Sequence, residues 1–209
     1  MEVQEEGRTC LLQELYGLLD SVIFPLISRP LMGIQNNFRS HLDFGCGKGW
    51  WTYYAAIRNP KTKFIGYDSD SEKIRVASQW VPRLDNLEFT DKKINARALG
   101  EPFTSVGSSF VFHEAGETMF DEYRDFAWRG DVVFVIDYNL KGVSIEEFVR
   151  LSASNGEKRF IKEVGFDEAY YSHTRFNLTD CCAAAEEKGF KTLDTHELGK
   201  KFFCWIGES

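Results

Sequence analysis

The stretch Leu42-Asp43-Phe44-Gly45-Cys46-Gly47-Lys48-Gly49 decides how this chain is read. It completes a short strand-like segment, Ser40-His41-Leu42-Asp43-Phe44, and precedes a helix expected to start at Trp50 and stop at Asn59-Pro60. Glycines between a strand and a helix let the backbone turn sharply and let a ligand approach closely. At the carboxyl edge of a doubly wound sheet, that turn is where a nucleotide-like ligand binds. Asp68 is a second mark. It follows the next strand, Phe64-Ile65-Gly66-Tyr67, and an acidic side chain there can accept hydrogen bonds from both ribose hydroxyls.

Outward from this loop the chain alternates strand and helix. Ser69 and Glu72 have capping-box spacing ahead of Ile74, Ala77, Val81 and Leu84, which share one helical face. Leu87-Glu88-Phe89 reads as a third strand and Ser109-Phe110-Val111-Phe112 as a fourth. Thr118 to Trp128 reads as helix. Asp131 to Asp137 is the strongest strand signal, with the apolar run Val132 to Ile136 that a central parallel strand covered on both faces should carry. Ser144 and Glu147 open another helix. Residues 152–176 are polar and aromatic without a clear period. Thr179 is expected to cap a helix ending at Lys188-Gly189. Residues 190–195 and 201–206, joined by a turn containing Gly199, read as an antiparallel hairpin. The whole predicts a doubly wound, Rossmann-like α/β domain over residues 39–209, with a mostly parallel seven-stranded sheet closing in that hairpin. Residues 139–178 form an insert. Ahead of the domain, Leu11, Leu12, Leu15, Leu18, Leu19, Val22 and Ile23 recur at helical spacing, so residues 1–38 are expected to be a helical segment.

Composition narrows the partners. The 209 residues carry 25 Lys+Arg against 32 Asp+Glu, a net charge of -7. A protein that grips nucleic acid by its phosphates usually has the opposite balance, so no nucleic-acid partner is expected. No apolar run approaches the ~20 residues of a membrane span, so no membrane partner is expected either. The acidic start, Met1-Glu2-Val3-Gln4-Glu5-Glu6, does not resemble a targeting peptide. The five cysteines are odd in number and unpaired in spacing. That fits free thiols in a reducing, cytoplasmic setting and gives no metal site. Aromatic residues are abundant at 15%, which serves either a Phe-rich core or a pocket for a flat or apolar ligand.

Two ligand classes use such a loop. Dinucleotide enzymes show G-x-G-x-x-G with a helix N-terminus facing a pyrophosphate. Here the spacing is G-x-G-x-G, and the Asp43 carboxylate two residues ahead would repel a pyrophosphate. It suits a ligand with a cationic group. The run D-x-G-x-G-x-G resembles motif I of the class I S-adenosylmethionine-dependent methyltransferases. The likeness extends in element order over residues 39–206, and Glu187-Lys188-Gly189-Phe190 resembles the family's run before the sixth strand. The resemblance implies S-adenosyl-L-methionine as cofactor. It places Asp43 by the methionine moiety, Gly45, Cys46, Gly47, Gly49 and Ser69 along the cofactor, Asp68 at the ribose, and Asp91 at the adenine amino group.

The chain departs from the family pattern in places. Ser108-Ser109 stands where an acidic residue usually introduces the fourth strand, and Arg129-Gly130-Asp131 replaces Pro-Gly-Gly. No Asn-Pro-Pro-Tyr-like motif follows the fourth strand, which speaks against methylation of base or glutamine amines. Catalytic side chains should stand at the carboxyl ends of strands four and five or in the insert. His113-Glu114 follows the fourth strand, Asp137-Tyr138-Asn139 the fifth, and His173 lies in the insert. His113 titrates in the right range for a base and is expected also to touch the cofactor. Tyr138 and His173 are the other catalytic candidates. His41 is expected to face packing. The reading is a methyltransferase acting on a small-molecule acceptor, with the N-terminal segment and the insert as a lid. An NAD-dependent oxidoreductase and a non-catalytic binding protein on the same fold are the alternatives.

Overall fold

A computed structural model describes residues 38–92, 94, 103–152 and 155–209 of the chain. The N-terminal helix, and the lid role given to it, lie outside the described residues, which include only Phe38 of that segment. Seven strands form one sheet: β1 (Ser40–Phe44), β2 (Lys63–Tyr67), β3 (Leu87–Thr90), β4 (Phe103–Ser109), β5 (Ala127–Tyr138), β6 (Lys191–Leu198) and β7 (Phe202–Glu208). Their order is β3-β2-β1-β4-β5-β7-β6. All pairs up to β5 are parallel, and β7 runs antiparallel to both β5 and β6. The expected fold class is the one found. Strand order reverses between β1 and β4, and that switch point positions the site.

The sheet is buried on both faces because its strands are apolar on both. Along β5, Val133 and Val135 face a cluster with Phe120, Tyr123, Phe126 and Trp205. Phe134 and Ile136 face the opposite cluster, with Trp51, Phe64, Cys204 and Ile206. Alternation of side chains across the pleat makes this division. Each such fully buried side chain is worth about 1.5–3 kcal/mol over exposure. At the outer edge, β6 keeps Lys191, Asp194 and Glu197 in solvent, which discourages edge-to-edge pairing.

The helices in chain order are α1 (Trp50–Arg58), α2 (Ser71–Trp80), α3 (Phe112–Ala115), α4 (Thr118–Phe126), α5 (Ile145–Leu151), α6 (Asn155–Val164), α7 (Phe166–Thr174) and α8 (Leu178–Glu187). Several boundaries differ from expectation. The fourth strand ends at Ser109, where the sequence suggests it begins. Its sequence is poor in large apolar residues, and at Gly107 the Phe134 ring occupies the space a side chain would need. A Cβ on Gly107 would lie 2.2 Å from that ring. Hydrophobicity therefore marks the turn and helix after the strand instead of the strand itself. Asp70, not Ser69, caps α2, accepting from the Glu72 and Lys73 amides, while the Glu72 carboxylate turns to Arg75. The Asp68 carboxylate takes the Asp70 amide and shifts the cap by one residue. Ser144 caps α5 as expected, but Glu147 pairs with Arg150 and does not close the box. The last helix is capped by Asn177 in place of Thr179, in a reciprocal box with Asp180. The helix expected to run to Trp128 stops at Phe126, and β5 starts at once. The aperiodic part of the insert is two short helices, α6 and α7. Their aromatic side chains pack in a local stack and not on a long apolar stripe.

Candidate functional site

The loop after β1 is tied to the end of β2. The Gly45 and Cys46 amides both donate to the Tyr67 carbonyl, at 2.7 and 2.9 Å. The Gly47 amide donates to Asp68 Oδ2 at 2.8 Å, and the Gly49 amide to the Cys46 carbonyl at 2.9 Å. These four N–H groups therefore already have acceptors, so they do not form the open amide cradle that a phosphate requires. Gly45 has a φ of +71°, and a Cβ there would lie 2.5 Å from the Val111 side chain. Both the backbone and the close approach of Val111 demand glycine.

Asp43 sits behind this loop, 1% exposed. The Thr52 hydroxyl on α1 donates to its Oδ2. Its Oδ1 is buried with no partner. Burial raises the Asp43 carboxyl from 3.8 to about 7, the Thr52 hydrogen bond opposes this, and the charge of Asp68 adds to it. A buried carboxylate with an open oxygen wants a cation beside it. Asp68 is also buried, and each of its oxygens accepts one backbone amide, from Gly47 and from Asp70. A carboxylate offers about four lone-pair positions, so two hydroxyls can still be taken. Burial first, then the charges of Asp43 and Asp68, push the Cys46 thiol up, so it stays a protonated wall residue.

Beside the loop, a cleft of about 570 Å³ opens over the carboxyl ends of β1, β2 and β4. Its wall includes Gly45, Cys46, Gly47, Asp68 and Ser69 from the expected cofactor set, and Ser109, Phe110, Val111 and Glu114 from across the switch point. Phe110 has a φ of 63°, a left-handed backbone that aromatic residues seldom adopt. Its amide donates to the Ile136 carbonyl, and its ring packs on Tyr138 and Phe202. Gly49 and Asp43 stand behind the wall. Asp91 is exposed and is not part of it.

The three catalytic candidates come together beyond the cleft wall. His113, on α3, is 5% exposed. Its amide donates to Asp137 Oδ2 at 3.0 Å, and its Nδ1 donates to Asp137 Oδ1 at 2.8 Å. Its Nε2 lies 3.7 Å from Glu114 Oε1. Burial alone would lower the imidazole, but the charge and hydrogen bond of Asp137, with the charge of Glu114, raise it overall. Tyr138 stacks on His173 at 4.0 Å, and His173 stacks on Phe160 at 5.1 Å. The His113 ring stands edge-on to both Tyr138 and His173. Burial, with the His113 charge adding, pulls His173 down to about 3. His173 is thus a neutral ring inside an aromatic stack. His41 packs as expected, stacked on Phe134.

The sequence reading does not single out Thr52 or Phe110, and it names Asp137 only by its place. No local spacing marks these residues, because each contact spans the switch point or the loop reversal. His113 and Asp137 meet only through the pairing of β4 with β5.

No protein-family model matches the chain, and no curated protein matches it. Solved structures do. A SAM-dependent methyltransferase from Aquifex aeolicus aligns with 18% identity over 93% of this chain and 96% of that one, with a TM-score of 0.63. The plantazolicin methyltransferase BpumL, solved with SAH, aligns with 14% identity over 94% of this chain and 90% of its own, also at 0.63. Human N-acetylserotonin methyltransferase, solved with SAM, aligns with 14% identity over 82% of this chain at 0.59. This chain covers 48% of that protein, about half its length. The chain has the fold of the S-adenosylmethionine-dependent methyltransferases.

Proposed function

We propose that this chain binds S-adenosyl-L-methionine in the cleft over β1, β2 and β4 and transfers its methyl group to a small-molecule acceptor. The observation that carries the reading is Asp43. A fully buried carboxylate with an unpartnered oxygen behind the glycine loop asks for a ligand ammonium and not for a pyrophosphate. When bound, the cofactor supplies a methyl group on a sulfonium already activated for displacement. The protein's task is then alignment of the acceptor and, where needed, removal of a proton. Asp43 attracts the ammonium from behind the loop, Asp68 takes the ribose hydroxyls, and Cys46, Gly47 and Ser69 wall the cofactor. The acceptor enters from the side of Ser109 to Glu114, where His113 is held in orientation by Asp137. Tyr138 and His173 fix the insert, residues 139–178, against the end of β5, and the insert selects the acceptor.

The experiment is isothermal calorimetry and thermal unfolding with S-adenosylhomocysteine and NAD in parallel. A ligand that binds only the folded state raises its melting temperature by mass action. S-adenosylhomocysteine is expected to raise it and NAD to leave it unchanged. The reverse result makes the chain a dinucleotide protein, and no response to either makes it a non-catalytic member of the fold.

A further inference from the structure

We propose that the acceptor is an amine that arrives protonated and that Glu114 receives its ammonium and takes its proton, so that the freed nitrogen lone pair forms the N–CH3 bond as the S–CH3 bond breaks and S-adenosylhomocysteine leaves. This deepens the methyltransferase reading and rests on it. The cleft has two halves. The glycine loop and the Asp68–Asp70 side meet the requirements of the cofactor. The opposite half of the wall is Ser109, Phe110, Val111, Glu114, Ala115 and Glu122. Among the described residues this half carries two carboxylates and no cationic side chain. The one lysine in the cleft wall, Lys73, stands on α2, in the cofactor half.

Glu114 is set there by a line of charge. Asp137 is fully buried at the end of β5. It fixes His113 twice, through the backbone amide and through Nδ1, and also takes the Tyr138 amide at 2.7 Å. The far nitrogen of the same ring points to the Glu114 carboxylate at 3.7 Å, and Glu114 is itself 65% exposed in the wall. With the imidazole between two carboxylates the cationic form is favoured, in keeping with its upward shift. Asp137 is taken up by His113, and the Glu114 carboxylate is left facing the cleft. An anionic acceptor would meet this charge and be repelled. A neutral hydroxyl holds its proton far more tightly than an ammonium, too tightly for the Glu114 carboxylate, and would need an uncharged imidazole as base. The His113 nitrogens both face carboxylates, and the His173 ring is closed in between Tyr138 and Phe160. An ammonium is attracted by the Glu114 carboxylate in the same wall. Such an aliphatic amine differs from the base and glutamine amines disfavoured by the sequence.

The test uses the full chain saturated with S-adenosylhomocysteine and three probes of one shape. These are phenethylamine, phenethyl alcohol and 3-phenylpropionate, each titrated to about 10 mM, the weak end of ordinary affinities. The amine is expected to bind about tenfold or more tighter than the alcohol, and the carboxylate not at all. In Glu114→Gln the amine is expected to lose about tenfold in affinity while the affinity for S-adenosylhomocysteine stays within about twofold. Equal or tighter binding of the alcohol or carboxylate overturns the proposal. So does binding of none of the three, or an amine response unchanged in the variant. If S-adenosylhomocysteine itself does not bind, the methyltransferase reading fails and this proposal falls with it. If it binds and the amine preference is missing, only the proposal about the acceptor falls.

Discussion

Asp43→Asn separates what this residue does for the site from what it does to the fold. In the native protein the carboxyl sits near pH 7 because burial disfavours its charge, against 3.8 when exposed. The folded value is raised, so the folded state holds its proton over a range where the unfolded chain has lost it. Stability from this group is full below about pH 4 and is lost as the pH rises through 7. At about 1.4 kcal/mol for each tenfold, the loss reaches about 4 kcal/mol well above pH 7. Of that, about 2.5 kcal/mol falls between pH 5 and pH 8. An asparagine keeps the shape and still accepts the Thr52 hydroxyl. Its amide leaves donors unpartnered at the former Oδ1 position, a penalty of about 1–3 kcal/mol that does not change with pH. Urea unfolding at pH 5, 6, 7 and 8, followed by circular dichroism, reads the difference. The raised His113 value tilts both curves alike, so subtracting wild type from variant isolates Asp43. The variant is expected to gain about 2.5 kcal/mol relative to wild type from pH 5 to pH 8. It is also expected to bind S-adenosylhomocysteine more weakly, and to lose the rise in affinity with pH that an ammonium beside an ionising carboxylate produces. Parallel stability curves over this range would refute the reasoning, because the buried carboxyl would then not hold its proton.

Asp68→Asn keeps one acceptor oxygen where two are in use, so it frees either the Gly47 or the Asp70 amide and removes a hydroxyl acceptor. Affinity for S-adenosylhomocysteine is expected to fall about tenfold or more, with faster amide exchange at Gly47 in the free protein, and an unchanged affinity moves the ribose contact elsewhere. Gly107→Ala puts a methyl group 2.2 Å from the buried Phe134 ring, so a loss of about 1–3 kcal/mol is expected in urea unfolding, and unchanged stability would show that the ring has room to move.

The glycine loop, β1, α1, β2, β5 and the terminal hairpin were legible in the sequence because each announces itself locally. Turn residues, a central apolar run and alternation are properties of a few neighbouring positions. Asp43 and Asp68 were legible for the same reason, since one stands by the loop and the other closes the next strand. β4 was not. Residues Thr104 to Ser109 are mostly small and polar, at Gly107 because Phe134 of the neighbouring strand fills the space, and no property of the segment itself records that. The caps shifted where a neighbouring side chain competed for the same amides, as when Asp68, two residues away, took the Asp70 amide. The His113–Asp137 pair, the stack of Tyr138 on His173 and the exposure of Glu114 in the cleft wall depend on which strands lie side by side. Local sequence sets which groups are available. Only the packing of β4 against β5 decided which of them meet; burial then holds Asp43 near neutrality, and the Asp137 carboxylate shifts His113 upward against its own burial.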